Sequence, residues 1–286
     1  MEYEGKSYGS GATVEKLDAH NRYADAYTSA LLYQPNRDNL FTLHYVDAFA
    51  GRGEVNLPGS AEIVPGSALQ ALEVDNRPFD RLLFIESDQQ NCDRLLALIE
   101  ERRDSHRSTV LRGDANVELR RFCSWLKGPQ GRMDRAFIFV DPYAMQVEWE
   151  TVEAVAAIKR ADLLMLFPLM SLRRNLKRDD WPRPEHQMAL SRFFGGDSWK
   201  GLYSTGGDTV VREGGDREII EAYVDRMKGV FSEVVDPERT LGSASDGSLF
   251  TMVFGASNPA AADLAARIAR GVFDAASGIQ SRMRFD

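Results

Sequence analysis

The chain has few of the residues that hold metals in proteins. Its two cysteines and four histidines are scattered along 286 residues, at Cys92, Cys123, His20, His44, His106 and His186. They form no C-x-x-C pair and no other metal-ligand spacing, so we expect neither a structural zinc nor an iron-sulfur site. Isolated cysteines also favour a reducing compartment, and we expect a cytoplasmic protein.

Long apolar runs and excess positive charge are missing as well. The residues after Met1 are polar, and no stretch approaches the roughly 20 apolar residues of a membrane-spanning helix, so we expect no membrane association. The chain has 35 Lys and Arg against 43 Asp and Glu, a net charge of -8. That balance argues against nucleic-acid binding over the whole surface, although a local basic face could still bind it.

Apolar segments of strand length alternate with helical patterns along the chain. With 43% apolar residues, the sequence can bury the core of one large α/β domain over residues 1–286. The alternation predicts a Rossmann-like, doubly wound, mostly parallel sheet of seven strands. We predict an N-terminal helix over 13–34, an insertion after strand five over 170–215, and strands over 40–47, 82–86, 108–114, 135–141, 162–169, 231–235 and 249–254. Helices are predicted between and after these strands over 66–74, 91–102, 152–158, 216–228 and 260–273.

Two of the predicted strands end in motifs that suggest a ligand. The first runs into Val46-Asp47-Ala48-Phe49-Ala50-Gly51-Arg52-Gly53, where Gly51 and Gly53 let backbone approach a ligand closely because they lack a Cβ. Another ends in Asp141-Pro142-Tyr143, about ninety residues later. Ligands of α/β sheets bind at the carboxyl ends of the strands, so both motifs should face one crevice. Their order and spacing indicate a methyltransferase core that uses S-adenosylmethionine (SAM).

Acidic residues at the other strand ends suit the same cofactor. Glu86, with Ser87 and Asp88 beside it, is predicted to accept hydrogen bonds from the ribose hydroxyls. Glu86 or Asp88 could instead cap the helix that begins near Gln89. Asp114, followed by Ala115, could accept from the adenine amino group, could cap its own helix, or could do both.

The remaining motif residues also have alternative roles. Asp47 could contact the methionine ammonium, directly or through water, and Phe49 belongs to the same predicted cofactor site; Asp47 could otherwise hold the turn by accepting backbone N–H groups. Asp141 is predicted to orient the nucleophile, or else to be a turn acid. Tyr143 could stack on the substrate or pack in the core.

The predicted insertion contains a candidate basic face. Arg173, Arg174, Lys177 and Arg178 could contact phosphates just beyond strand five, while Asp179 and Asp180 partly cancel their charge and would make the segment a solvated loop. Phe167, at the end of strand five, could line the substrate side or simply terminate the strand.

The chain resembles the three-Cys-motif partner (TcmP) family, a group similar to SAM methyltransferases. The resemblance covers about the first 170 residues and is carried by Lys16-Leu17-Asp18, Tyr45 to Gly51, Gly66-Ser67-Ala68-Leu69, Phe84-Ile85-Glu86, Gly113 to Asn116, Asp141 to Val147, and Leu166-Phe167-Pro168-Leu169. It implies a methyltransferase sheet, SAM as the cofactor, and a three-Cys-motif protein as a partner.

The Asp141-Pro142-Tyr143 motif also resembles the D-P-P-Y signature of methyltransferases that modify amino groups of bases. That resemblance implies that Asp141 and the Pro142 carbonyl accept from the amino group while Tyr143 stacks on a flipped or unpaired base. Here one proline is missing and Ala144 follows the tyrosine.

These observations lead to a first hypothesis of N-methylation of a nucleobase in nucleic acid. The alternatives are methylation of a small molecule and a non-catalytic subunit that keeps the SAM fold for a partner.

Overall fold

A computed structural model of the chain describes residues 11–57, 61–102, 105–206, 209–235 and 251–283. Seven strands form its main sheet. In chain order they are β1 (Thr42–Asp47), β2 (Arg81–Glu86), β3 (Ser108–Arg112), β4 (Asp134–Val140), β5 (Ala161–Phe167), β6 (Glu233–Val235) and β7 (Thr251–Ala256). Their spatial order across the sheet is β3-β2-β1-β4-β5-β7-β6.

Strand direction in this sheet is mostly parallel. Strands β1 to β5 pair in parallel, and β7 pairs antiparallel with both β5 and β6. Every residue of β5 is buried, as expected of a strand with both faces covered. The predicted fold class, a Rossmann-like, doubly wound and mostly parallel sheet of seven strands, is therefore confirmed.

Helices cover both faces of the sheet, as a doubly wound fold requires. In chain order the helices are α1 (Gly11–Ala30), α2 (Ser67–Leu72), α3 (Gln89–Glu100), α4 (Ala115–Lys127), α5 (Trp149–Ile158), α6 (Leu169–Asn175), α7 (Pro184–Phe194), α8 (Asp216–Lys228) and α9 (Ala262–Met283). Buried side chains of α1, α2, α3 and α9 belong to one core, and those of α4 to α8 belong to the other.

Two predicted helix ends differ from the structure by four residues or more. The N-terminal helix ends at Ala30 and not at residue 34, because the chain turns there into a short hairpin that pairs Pro35–Asn36 with Asn39–Leu40. That hairpin also removes Leu40 from the first strand. The last helix continues ten residues beyond the predicted end at 273, to Met283. The part of the predicted strand over 249–254 that precedes Thr251 lies outside the described residues.

The segment predicted as an insertion is folded. It holds α7, which starts with Pro184 at its first position, where a missing N–H costs nothing. A turn of 3-10 helix (Asp197–Leu202) and a hairpin of Tyr203–Gly206 with Thr209–Arg212 follow. Phe193, Phe194 and Trp199 are fully buried in the core of the same sheet face as α5 and α8. That the whole chain is one domain with an insertion stays a prediction.

Candidate cofactor and substrate crevice

The glycine turn after β1 is joined to the end of β2. Gly51 and Gly53 have φ angles of +60° and +84°, in the left-handed region that favours glycine. The Gly51 N–H donates to Glu86 Oε2 at 2.9 Å. A Cβ at Gly51 would meet no atom within 4 Å, whereas one at Gly53 would lie 2.8 Å from Leu95 Cδ1. The turn is therefore packed against α3 at Gly53 and open at Gly51.

The Glu86 carboxylate accepts several hydrogen bonds at this end of the sheet. Its Oε1 accepts from the Asp88 N–H at 2.8 Å, and the Ser87 hydroxyl lies 3.4 Å from the same oxygen. An ionised carboxylate has about four acceptor positions, so three protein donors leave capacity for a further one. The Asp88 side chain caps α3 through the Asn91 N–H at 2.9 Å. The capping alternative thus holds for Asp88 and not for Glu86.

A narrow pocket of about 70 Å³ opens between the ends of β2 and β3. Five of the nine residues predicted to bind cofactor line it: Phe49, Glu86, Ser87, Asp114 and Ala115. The apolar side chains of Ala48 and Ile85 complete one wall. Asp114 also caps α4 by accepting from the Val117 N–H at 3.0 Å, so the capping role of Asp114 is formed beside the pocket.

Asn116 is a pocket residue that the sequence analysis did not assign. Its Nδ2 donates to the Gln146 carbonyl at 2.8 Å, and its Oδ1 accepts from the Glu148 N–H and the Thr151 hydroxyl, each at 2.9 Å. The side chain thereby ties the loop after β4 to the start of α4. A buried asparagine in the first turn of an amphipathic helix was the available signal, because a buried polar group needs partners.

Asp47 is the last residue of β1 and is fully buried. The Ser67 hydroxyl donates to its Oδ2 at 2.6 Å, and the Phe49 N–H donates to its Oδ1 at 3.2 Å. Burial raises the pKa of Asp47 to about 7, against the effect of these hydrogen bonds, and the charge of Asp141 raises it further. The contacts correspond to the turn-holding role, and Asp141 is close enough to act on Asp47 electrostatically.

Helix α1 extends this polar network from the other side. His20 Nε2 lies 2.8 Å from the Tyr45 hydroxyl, which in turn donates to Asp47 Oδ2 at 3.3 Å. Burial lowers the pKa of His20 to about 4, so its ring is neutral at neutral pH. The sequence analysis gave His20 and Tyr45 no function, because nothing local relates α1 to β1.

The motif after β4 is held by the same helix. Lys16 Nζ lies 2.6 Å from Asp141 Oδ2, and both side chains are partly exposed. Pro142 is buried, whereas Tyr143 is 73% exposed, so its ring does not pack in the core. The Tyr143 N–H donates to Gln146 Oε1 at 2.9 Å. Asp141 is thus placed at the crevice with a cation beside it, and Tyr143 lies at the surface next to it.

The predicted basic face is partly neutralised. The Arg173 guanidinium pairs with both oxygens of Asp216, and Lys177 Nζ lies 3.7 Å from Asp180. Arg174 and Arg178 form no ion pair within the described parts of the chain. These pairs correspond to the alternative in which the charges of this segment cancel.

Phe167 has a packing role in this structure. Its side chain is 1% exposed and packs against Phe193 and Tyr223 in the core, with ring centroids 5.8 and 5.3 Å away. Its suggested place on the substrate side therefore has no support from the geometry.

The described residues contain neither a cluster of metal-binding side chains nor a membrane-spanning helix. No group of three or more His, Cys, Asp or Glu side chains is placed there to hold a metal ion. Likewise, no helix in those ranges is long and apolar enough to cross a bilayer.

Comparison with known proteins gives likenesses of fold. No family model and no curated protein matches the chain, so its place in the TcmP family and a three-Cys-motif partner stay predictions. Among solved structures it is similar to Trm1 from Pyrococcus horikoshii with SAM, at 10% identity and a TM-score of 0.49, over 92% of this chain and 60% of that one. It is also similar to M. jannaschii TYW2 in complex with AdoMet, at 11% identity and a TM-score of 0.33, over 88% and 77% of the two chains. A protein from Legionella pneumophila matches 87% of this chain and 97% of its own length, at 15% identity and a TM-score of 0.43. At these scores the likenesses carry no argument about activity, which must come from the site itself.

Proposed function

We propose that the chain is a SAM-dependent methyltransferase that acts on an amino nitrogen. The observation that carries the proposal is the Glu86 carboxylate, which holds the glycine turn through the Gly51 N–H and borders the pocket between β2 and β3. Around it, Asp47 and Asp141 stand at the carboxyl ends of β1 and β4, where parallel α/β sheets bind their ligands.

The residues present fit the cofactor. Glu86 has acceptor capacity left for a ribose hydroxyl. The adjacent pocket would offer polar partners to the edge of an adenine ring beside Asp114 and Ala115, with Ala48 and Ile85 as apolar surface. The open space at Gly51 admits a ligand against the turn. A cationic ammonium near Asp47 would favour its ionised form, which burial otherwise disfavours. Bound SAM would supply an activated methyl group on a sulfonium sulfur.

The substrate side rests on Asp141 and its neighbours. Asp141 would accept a hydrogen bond from the substrate amino group and take the proton that this nitrogen loses on methylation. Lys16 would hold the carboxylate in place at 2.6 Å. Tyr143, whose side chain is largely exposed, would stack on a flat substrate such as a base. Alignment of two reactants in this way can supply on the order of 7 to 11 kcal/mol.

A nucleobase in DNA or RNA remains our first substrate, since an exposed ring beside a carboxylate suits a base presented outside the helix. A small molecule is the second candidate, and the ion pairs of Arg173 and Lys177 favour it because they remove half of the four predicted phosphate contacts. In that case the pocket would need no basic surface.

Methyl transfer from SAM with a labelled methyl group tests the proposal. The protein and a matched Asp141→Asn variant would be incubated with single-stranded DNA, duplex DNA, RNA and a small-molecule extract, and SAM binding measured in parallel by calorimetry. We expect SAM binding by both proteins and label transfer by the wild type alone. SAM binding without transfer to any substrate would favour the non-catalytic alternative, and no SAM binding would refute the cofactor assignment.

A further inference from the structure

A second and larger cavity lies between α1 and α9, where β4 and β5 begin and thus at the opposite end of these strands from the crevice. Its volume is about 400 Å³, within the range of small-molecule pockets, roughly 300 to 1,000 Å³. Arg135 and Asp162, which line it, are the second residues of β4 and β5, whereas Asp47 and Asp141 stand at the far ends of their strands. The cavity is therefore separate from the proposed SAM crevice and shares no lining residue with the pocket beside Glu86.

The walls of this cavity are mainly apolar and aromatic. Helix α1 presents side chains on one side and α9 on the other, and the wall residues are Tyr23, Tyr27, Leu31, Leu264, Ala265 and Ile268. The two helices pack against each other through the same core as β4 and β7. Such walls suit the body of an apolar molecule, because burying apolar surface is favourable by about 25 cal/mol per Å².

Two arginines, Arg135 and Arg160, line this cavity. Neither Arg135 nor Arg160 forms an ion pair within the ranges that the structure describes. Arg160 donates from Nη2 to the Leu126 carbonyl at 2.7 Å, but its Nε is buried without a hydrogen-bond partner in those ranges. The Arg135 guanidinium lies 3.6 Å from the centroid of the Phe41 ring and donates to backbone carbonyls.

The two guanidiniums line the same cavity, where an anionic group would be attracted to both. Burial lowers the pKa of Arg135 and the charge of Arg160 also lowers it, whereas Tyr27 and Asp134 raise it. A carboxylate would offset both charges, since the planar guanidinium matches carboxylate geometry. The one acid in the lining, Asp162, accepts from the Tyr23 hydroxyl at 2.8 Å, and burial raises its pKa to about 7. Its negative charge is therefore reduced at neutral pH and opposes an anionic ligand only in part.

We propose that this cavity binds a small amphipathic acid, whose carboxylate pairs with Arg135 and Arg160 and whose apolar body lies between α1 and α9. The proposal goes beyond the methyltransferase activity and does not depend on it, because none of the residues it uses belongs to the SAM crevice. It assigns a ligand site to a region of the fold for which the methyl-transfer reaction has no use.

Calorimetry with decanoate and decan-1-ol tests the proposal on the wild-type protein. The two probes share an apolar chain and differ in the carboxylate, so decanoate should bind at least about tenfold more tightly if it makes charge-assisted hydrogen bonds. Equal affinity for the two probes, or no binding of decanoate at millimolar concentration, would overturn the proposal without any variant.

Variants then locate the site. The double variant Arg135→Gln, Arg160→Gln should bind decanoate about tenfold or more weakly than the wild type, and its affinity for decan-1-ol should be unchanged. The matched control is Arg267→Gln, which removes a positive charge from an exposed position of α9 outside the cavity lining. Circular dichroism would establish that each variant is folded. Loss of decanoate affinity in the control, or unchanged affinity in a folded double variant, would place the site elsewhere and contradict the assignment.

Discussion

Replacement of Glu86 is the sharpest test of the cofactor site. In the structure its carboxylate accepts from Gly51 and Asp88 N–H groups and retains acceptor capacity toward the pocket. Glu86→Ala removes a charged acceptor from a bound ribose, and a hydrogen bond to a charged group is worth about 1.5 to 3 kcal/mol. At about 1.4 kcal/mol per tenfold change, the Kd for SAM should rise roughly 10- to 150-fold.

Calorimetric titration with SAM measures this change, and two variants separate its causes. Glu86→Gln keeps a neutral acceptor of the same shape and should lose less affinity than Glu86→Ala. Asp88→Ala removes only the cap of α3, so it should cost about 1 kcal/mol of stability while SAM affinity stays within a few-fold. Unchanged SAM affinity in a folded Glu86→Ala protein would refute the ribose assignment. An equal loss in Asp88→Ala would attribute the effect to the geometry of the turn.

Four further predictions follow from the same geometry. Asp141→Asn should abolish methyl transfer and leave the Kd for SAM within a few-fold; an equal loss of SAM binding in calorimetry would instead assign Asp141 to the cofactor. Lys16→Met should lower kcat by roughly tenfold to a hundredfold, because it releases Asp141, while the KM for SAM stays unchanged and Lys16→Arg restores kcat. Steady-state kinetics in which Lys16→Arg does not restore kcat would contradict the role of Lys16 in positioning Asp141. If nucleic acid is the substrate, replacing Arg174 and Arg178 with glutamine should flatten the plot of log affinity against log salt by about 1.8 on duplex DNA, whereas no salt dependence in the wild type would favour a small molecule. The folded pKa of Asp162 is raised from 3.8 to about 7, so the free energy of unfolding should fall as pH rises from about 4 to about 7. Asp162→Asn lacks that carboxylate, so its free energy of unfolding should rise relative to the wild type over this pH range by roughly 3 kcal/mol, at about 1.4 kcal/mol per pKa unit. Urea denaturation at several pH values measures this difference, and a difference between variant and wild type that does not change with pH would contradict the burial effect.

The local features of the crevice could be predicted from the sequence. Apolar runs with the character of buried strands located β1, β2, β4 and β5 within a few residues, because period and composition are set by which faces are covered. Gly51 and Gly53, whose positive φ angles other residues rarely adopt, predicted the turn. Acidic residues at the ends of strands predicted the side of the sheet where the carboxyl ends of the strands lie, which is where α/β sheets generally bind ligands. Rules of this kind depend on a few neighbouring residues, so they can be applied without knowledge of the fold.

Side-chain partners distant in sequence were decided only by the tertiary structure. Lys16 and Asp141 are 125 residues apart, and Arg173 and Asp216 are 43 apart, so neither pair has a local signal. The first places a cation on the proposed catalytic acid, and the second removes one from the proposed basic face. The cavity with Arg135 and Arg160 arises likewise from the way α1 and α9 pack over β4 and β5. The sequence by itself determined where the central strands β1, β2, β4 and β5 and the glycine turn lie, since these depend on short-range periodicity and backbone sterics. Which charges are neutralised, and which remain for a ligand, depends on how distant helices pack across the sheet, and no short-range pattern encodes that packing.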